Sequence, residues 1–342
     1  VARWGEDFSR HVVGSGPFML MQWIGGQRIA LARNPFYGAG PRPALDGIVE
    51  QIGVDEELAW LKFAAGEIDV SAIPAAEFPY VMKTPRLRAL TLHIVTLSTF
   101  YLGMNCRMRP FDDVRVRRAF NYAINKRKLI DLLNGRGVIA HGILPPSMPG
   151  YDPAVRGYPY DPAMARRLLE QVDVGAKFAP QLWMRADPTE MMIGQSIQQD
   201  LALVGVNVVL KPVAWPPLLE AVRQPDTVQL FNFGWEADFP DPENFLQVLF
   251  SKKQWGANND TFYYSSQVDE LLKQAAPISD LKRRYQLYDE AEKIIVADAP
   301  WVPLYNPVTY VIRQPWVHDY ILNPMRPTRL DRVWLSPHTA HQ

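Results

Sequence analysis

Residues 228–245 read VQLFNFGWEADFPDPENF, and the fold turns on how this stretch is parsed. Val228 to Gly234 reads as a strand. It runs straight into four carboxylates, Glu236, Asp238, Asp241 and Glu243, packed into eight residues. Trp235, Phe239 and Phe245 interleave them and Pro240 and Pro242 break the run, so this is not an ordinary solvated acidic face. Asp241-Pro242 suits the cap and first position of a following helix, and Glu243 suits its first turn. A strand, then an acidic loop, then a helix is the place where open α/β sheets bind ligands.

Working outward, the same alternation recurs. Glu56 to Ala65 reads as a helix stopped by Gly66 and followed by a strand in EIDVSAI. Thr189 to Val204 reads as a helix stopped by Gly205, then VNVVLKPV as a strand; Trp215 to Arg223 is the helix before the opening stretch. Three further helices announce themselves by caps and apolar stripes. They are YDPAMARRLLEQV behind Asp161-Pro162, the run from Asp112 to Gly135, and SDLKRRYQLYDEAEKIIVAD. The last places Leu281, Tyr285, Tyr288, Ala291 and Ile295 on one face with charges opposite. Strands fit Arg28–Arg33, Ile48–Val54 and Leu90–Leu102. Helices alternating with strands predict an α/β fold.

Composition removes several classes of function. Thirty-six basic residues balance thirty-six acidic ones, which leaves no electrostatic footprint for nucleic acid or an anionic membrane. The single cysteine, Cys106, excludes an internal disulfide and a cysteine-based zinc site; it is expected to be an inert buried thiol. Thirty prolines, nearly twice the usual share of about 5%, fall at element ends and predict long connections on a packed scaffold. The opening VARWGEDFSRH is neither a signal peptide nor a translation start, so the chain is expected to be a processed or excised piece with any targeting segment upstream.

A set of short motifs, in order, resembles the extracellular solute-binding proteins of peptide- and nickel-type ABC importers (solute-binding protein family 5). They are GSGPFMLMQW (14–23), LARNPFYGAGPRPALDGI (31–48), WLKFAAGEIDVSAIP (60–74), YLGMNCRMRPFDDVRVRRAFNYAINKRKLI (101–130), GILPPSMPGY, YDPAMARRLL, GWEADFPDPENFL and NPVTYVIRQPWVHDY. The resemblance implies a two-lobe, type II periplasmic-binding-protein architecture with a hinge. Lobe I would comprise residues 1–111 plus 308–342 and lobe II residues 112–307. Family members have a long section before the GSGPF-like motif; here thirteen residues precede Gly14. The N-terminal part of lobe I and the small extra domain are therefore expected to be missing, or to be supplied by another chain. The resemblance also implies an interlobe cleft for a small-molecule or oligopeptide ligand, ABC permease subunits as partners, no cofactor, and a periplasmic or lipid-anchored location at the cell surface.

Each candidate residue has a bland reading beside the functional one. Asp241 and Glu243 read as helix-start residues. In peptide-binding relatives the acid matching Asp238 pairs with the ligand's α-ammonium and the tryptophan matching Trp235 lines the cleft. An ammonium offers three donors to a carboxylate, and an indole face adds cation–π attraction. Asp238, with Glu236 beside it, is thus a candidate ligand contact, or else a cap. Asn105 either satisfies backbone at a strand end or contacts ligand, and Tyr305 either lines the cleft or packs in the core. Arg115, Arg117 and Arg118 are expected on a solvated helix face rather than in a permease-docking patch. The peptide-binding subgroup often places an arginine shortly before the acidic motif; VQLFNFG holds none, so a free ligand carboxylate is met elsewhere or not recognised. Catalysis is disfavoured: there is no Gly-x-Ser-x-Gly, no phosphate-binding glycine loop and no His-Glu-x-x-His, and Asp238 and Asp241 sit on one Pro-broken turn. No metal site is expected. Of six histidines only His338 and His341 are close in sequence, in a tail (PHTAHQ) expected to be disordered.

Overall fold

The computed structural model describes residue 5 and residues 12–174, 178–325 and 328–337. The chain divides into two compact units, residues 1–94 with 309–342, and residues 95–308.

In the first unit β1 (Phe18–Ile24), β2 (Arg28–Arg33) and β3 (Gly47–Gln51) form an antiparallel sheet in that order. Gly53 is required twice over. Its φ is +75°, and a Cβ there would lie 2.8 Å from the Gly26 carbonyl oxygen. Asp55 caps α1 (Glu56–Ala64), accepting from the Leu58 N–H at 2.7 Å. Then come β4 (Val70–Ala72), α2 (Phe78–Lys83), α3 (Pro85–Ala89) and β5 (Thr91–Val95). Phe63, Ile73, Phe78 and Val81 make a small core.

The second unit begins with β6 (Ser98–Met104), α4 (Val114–Ala123), α5 (Lys126–Leu132), β7 (Gly137–Ile139) and α6 (Pro162–Glu170). It continues through β8 (Gln181–Arg185), α7 (Pro188–Ala202), β9 (Val209–Val213), α8 (Trp215–Val222) and β10 (Leu230–Glu236). It closes with α9 (Glu243–Phe250), α10 (Ser266–Ala275), α11 (Leu281–Asp298) and the first part of β11 (Trp301–Arg313). β10 is central: it pairs antiparallel with β6 and parallel with β8, which pairs parallel with β9. β11 pairs antiparallel with β6 and with β7. The period-2 alternation of the strands sorts side chains to two faces. Leu102, Met104, Leu182, Leu230 and Val302 join Val116, Phe120, Leu169 and Ile197 of the helices in one core. Tyr101, Phe231, Trp301 and Phe250 build an aromatic layer on the other, with Tyr101 stacked on Trp301 at 3.3 Å between centroids. The end of β11 pairs with β4 in the first unit, and the short β12 (Val317–His318) and β13 (Trp334–Leu335) complete it.

Local signals held where their partners are local. Asp161 accepts from the Met164 N–H and Asp113 from the Arg115 N–H, each capping its helix. The run from Asp112 to Gly135 is two helices, α4 and α5, rather than one, because the Asn125 side chain accepts from the Lys128 N–H and starts a new helix. Leu90–Leu102 is likewise two strands. The first boundary between units falls after residue 94, upstream of the expected position after 111. The cause is β6: its seven residue pairs with β10 tie it to the second unit.

Three expected solvated charges are buried instead. Arg117 is 7% exposed and donates to the carbonyls of Phe111, Asp112 and Asp298. On α11 the buried face carries Arg284, Leu287, Tyr288, Ala291, Glu292 and Ile295, while Leu281 is exposed. The stripe read from the sequence is rotated because Arg284 and Glu292 find buried partners that periodicity does not show.

Candidate functional site

β10 ends at Glu236, and the acidic loop leaves the sheet there. The Ala237 N–H is still held by the Leu97 carbonyl at 2.9 Å, after which Pro240 and Pro242 rule out continued pairing. Gly234 is needed for close packing: a Cβ would lie 2.8 Å from the Phe100 ring, which stacks on Tyr305 at 4.9 Å.

The four acids separate into two pairs. Asp241 accepts from the Glu243 N–H at 2.9 Å, but α9 opens only at Glu243 and its N-cap residue is Pro242, so the expected cap at Asp241 with Pro242 as first helical residue is displaced by one position. Its carboxylate also takes the Nε and Nη2 hydrogens of Arg284 at 3.2 and 3.0 Å, and Glu243 takes Nη2 at 2.6 Å. Arg284, 8% exposed, gives its Nη1 to the carbonyls of Ala275 and Ala276 at the end of α10. Burial works against its charge, but the hydrogen bonds to Asp241 and Glu243 outweigh it and hold the guanidinium charged.

Glu236 and Asp238 are exposed, and among the described residues neither has an ion-pair partner. Asp238 is nonetheless positioned. Asn244, 1% exposed, donates to its carboxylate at 3.3 Å and accepts from its N–H at 3.2 Å. The same Asn244 oxygen accepts from the Trp235 indole N–H at 2.9 Å. One buried amide therefore sets the indole and the acid side by side, with the acid's charge unanswered by any cation among the described residues. Such a carboxylate can accept hydrogen bonds from an ammonium at roughly 1.5–3 kcal/mol each.

Residues 2–257 match the family model described as bacterial extracellular solute-binding proteins, family 5 Middle. The chain belongs to family 5. Two relatives of this family 5 protein are the heme-binding protein A of Haemophilus influenzae and the dipeptide-binding protein of Escherichia coli. Each is 29% identical, over 93% and 96% of this chain. The chain spans 59% and 62% of those relatives' lengths. The solved structure of HbpA2 from Haemophilus parasuis superimposes over 97% of this chain and 66% of its own, with a TM-score of 0.87 and 25% identity. The fold class is α/β, of the two-lobe type II kind found in the family.

The other residues named from the sequence lie elsewhere in this family 5 protein. Asn105 is fully buried; its amide donates to the carbonyls of Pro225 and Val228 and its oxygen accepts from the Arg107 N–H. Those bonds use its hydrogen-bonding capacity within the fold, as the strand-end reading has it. Tyr305, 5% exposed, is a core residue stacked on Phe100, and burial pushes its hydroxyl pKa up, with Glu190 and Asp187 adding to the shift. The Cys106 thiol is pushed up to about 11, chiefly by burial, and stays protonated at neutral pH. His11, His338 and His341 lie outside the described residues. Among the described residues no group of three or more histidine, cysteine or carboxylate side chains could hold a metal ion.

Arg284, Asn244 and a third feature escaped the sequence reading. Glu190 in the first turn of α7 is buried and accepts a short hydrogen bond from Asn232 of β10; burial raises its pKa. The Asp187–Glu190 spacing is a capping-box signature, and Asp187 does accept from the Glu190 N–H. The glutamate side chain, however, turns to the sheet, which no local signal shows.

Proposed function

We propose that this family 5 protein serves as a solute receptor for an ABC importer and turns nothing over, with a short peptide or another amine-bearing solute as its ligand. The observation that carries this reading is the pair Trp235 and Asp238: one acid without a counter-charge, one indole, both oriented by the buried Asn244. A dipeptide-binding relative at 29% identity supports it. So does the family's description as solute-binding proteins. Glu236 is a second acid for the same cation. Permease subunits are the implied partners and an extracytoplasmic location the implied setting. Calorimetric titration of the full chain with a free dipeptide and its N-acetylated form tests the amine requirement. The free form is expected to bind at least about tenfold tighter, the equivalent of 1.4 kcal/mol; equal affinities, or cleavage of the peptide, would overturn the reading.

A second reading is an interaction module completed by another polypeptide. Met21, Trp23 and Val49, 63%, 48% and 63% exposed on the β1–β3 sheet, favour it. Sedimentation decides: a clean monomer would remove this reading, and self-association or a bound chain would support it.

A further inference from the structure

Lys126, at the start of α5, is 7% exposed, and its ammonium donates to the Ala140 carbonyl at 3.1 Å. An ammonium has three hydrogens, so two are left. Buried lysines ordinarily sit beside a carboxylate, yet among the described residues none pairs with it. The carboxylates of this region are committed elsewhere: Asp200 to Lys128 and the Asn125 N–H, Asp152 to Lys293, Asp161 to the cap of α6.

Lys126 lines a cavity of about 290 Å³ together with Arg127, His141, Arg156, Ile139 and Tyr160. Among the described residues no acidic residue lines it. The loop carrying Arg156 is pinned against the segment carrying His141, because a Cβ at Gly157 would lie 2.5 Å from the His141 carbonyl oxygen. The wall beside it is held by Tyr158, whose hydroxyl donates to the Ala297 carbonyl at 2.9 Å. A fixed cavity with a buried cation, two arginines and no counter-charge is built to receive an anion. Its apolar and aromatic walls suit a small body attached to the charged head.

We propose that this cavity, wholly within residues 124–160, binds a small organic anion, a phosphate- or carboxylate-headed molecule with a short apolar body. The headgroup accepts the two remaining hydrogens of Lys126, and Arg127 and Arg156 add charge. The site shares no residue with the acidic stretch at 236–243, so it does not depend on the amine-binding reading. Burial pulls the Lys126 ammonium down to about 7, so near neutral pH the neutral amine competes with the cation, and an anion in the cavity would favour the protonated form.

The test is calorimetric titration of the full chain with phenyl phosphate, inorganic phosphate and neutral benzyl alcohol. Phenyl phosphate is expected to bind one-to-one, inorganic phosphate more weakly and benzyl alcohol not at all. Lys126→Met should weaken phenyl phosphate about 10–100-fold, the loss of a charge-assisted hydrogen bond. Arg127→Gln and Arg156→Gln, both exposed, should weaken it about 2–5-fold each. Should Lys126→Met fail to fold, the Arg127→Gln/Arg156→Gln pair, checked by thermal melting, carries the test. Absence of saturable heat, or binding unchanged in these variants, overturns the proposal. So does Lys126-dependent sedimentation with phosphatidylglycerol vesicles without phenyl phosphate binding, which would assign the patch to a lipid surface.

Discussion

Asp241 and Glu243 begin only three residues beyond Asp238, yet the two halves of the acidic stretch have opposite fates. The downstream pair is gripped by Arg284, an arginine 43 and 41 residues away in sequence. The upstream pair, Glu236 and Asp238, meets no cation of the protein among the described residues. Residue type does not separate them; what does is whether another element delivers a cation. The structural half uses its charges to close α9, α10 and α11 around Arg284, and the exposed half keeps its charges available. A stretch that reads as one motif is thus two devices.

The comparison is broken most severely at Arg284. Arg284→Met strands Asp241, Glu243 and two α10 carbonyls, and is expected to cost about 3–5 kcal/mol of stability, as loss of one partner of a buried ion pair does. Denaturant unfolding measures it; a loss under about 1 kcal/mol would mean that the clamp is ornamental. Adding Asp241→Asn and Glu243→Gln should recover part of the loss, because fewer charges are then left unpaired.

Asp238→Ala probes the other half. Affinity for a free dipeptide is expected to fall by about 2–5 kcal/mol, as when one partner of a desolvated charge pair is truncated. The melting temperature should barely move, since Asp238 is exposed. A variant that binds normally and melts earlier would make Asp238 a structural acid like its neighbours. Asn244→Ala sits between the two. It removes three hydrogen bonds, to the Trp235 indole and to the main chain and carboxylate of Asp238. It should cost about 1 kcal/mol of stability, the typical net worth of a part-buried hydrogen bond, and should weaken dipeptide binding as well. Lost stability with intact binding would show that Asp238 needs no positioning.

A pH effect sharpens the comparison with a carboxylate that, among the described residues, is held without a cation. Glu292, 1% exposed, accepts from the Ile143 and Leu144 N–H groups at 2.7 and 2.9 Å. Burial pushes it up to about 7 from an ordinary 4.5 despite those bonds. The folded state therefore keeps a proton that the unfolded state has released, so stability falls as pH rises from about 4.5 through 7. Asp260, pushed by burial up to about 7, adds a slope of the same sign, so Glu292→Gln should reduce the slope rather than abolish it, read as melting temperature against pH; an unchanged slope would place the titration elsewhere.

What the chain declares locally, it declares well. The caps at Asp55, Asp113 and Asp161 and the helix–strand alternation follow from side chains bonding to backbone two or three positions away, and periodicity carries that information. The ordered motifs were enough to name family 5, and the strand-to-helix stretch at 228–245 marked the candidate site. Tertiary structure alone decided which charges are structural. Arg284, Arg117 and Glu292 fall on helices where a sequence pattern reads any charged residue as solvated. Their burial depends on partners delivered by other elements, such as the carbonyl of Asp298, 181 residues from Arg117. The same holds for Asn105 and Tyr305, whose types suit a binding site and whose surroundings put them in the core. Lys126 is the converse case: ordinary in sequence, it is buried by the fold while Asp200, Asp152 and Asp161 are engaged by other partners, and among the described residues no carboxylate pairs with it. Charge is a property of a residue, but its desolvation and pairing are properties of the packed neighbourhood, and that neighbourhood exists only once distant segments have met.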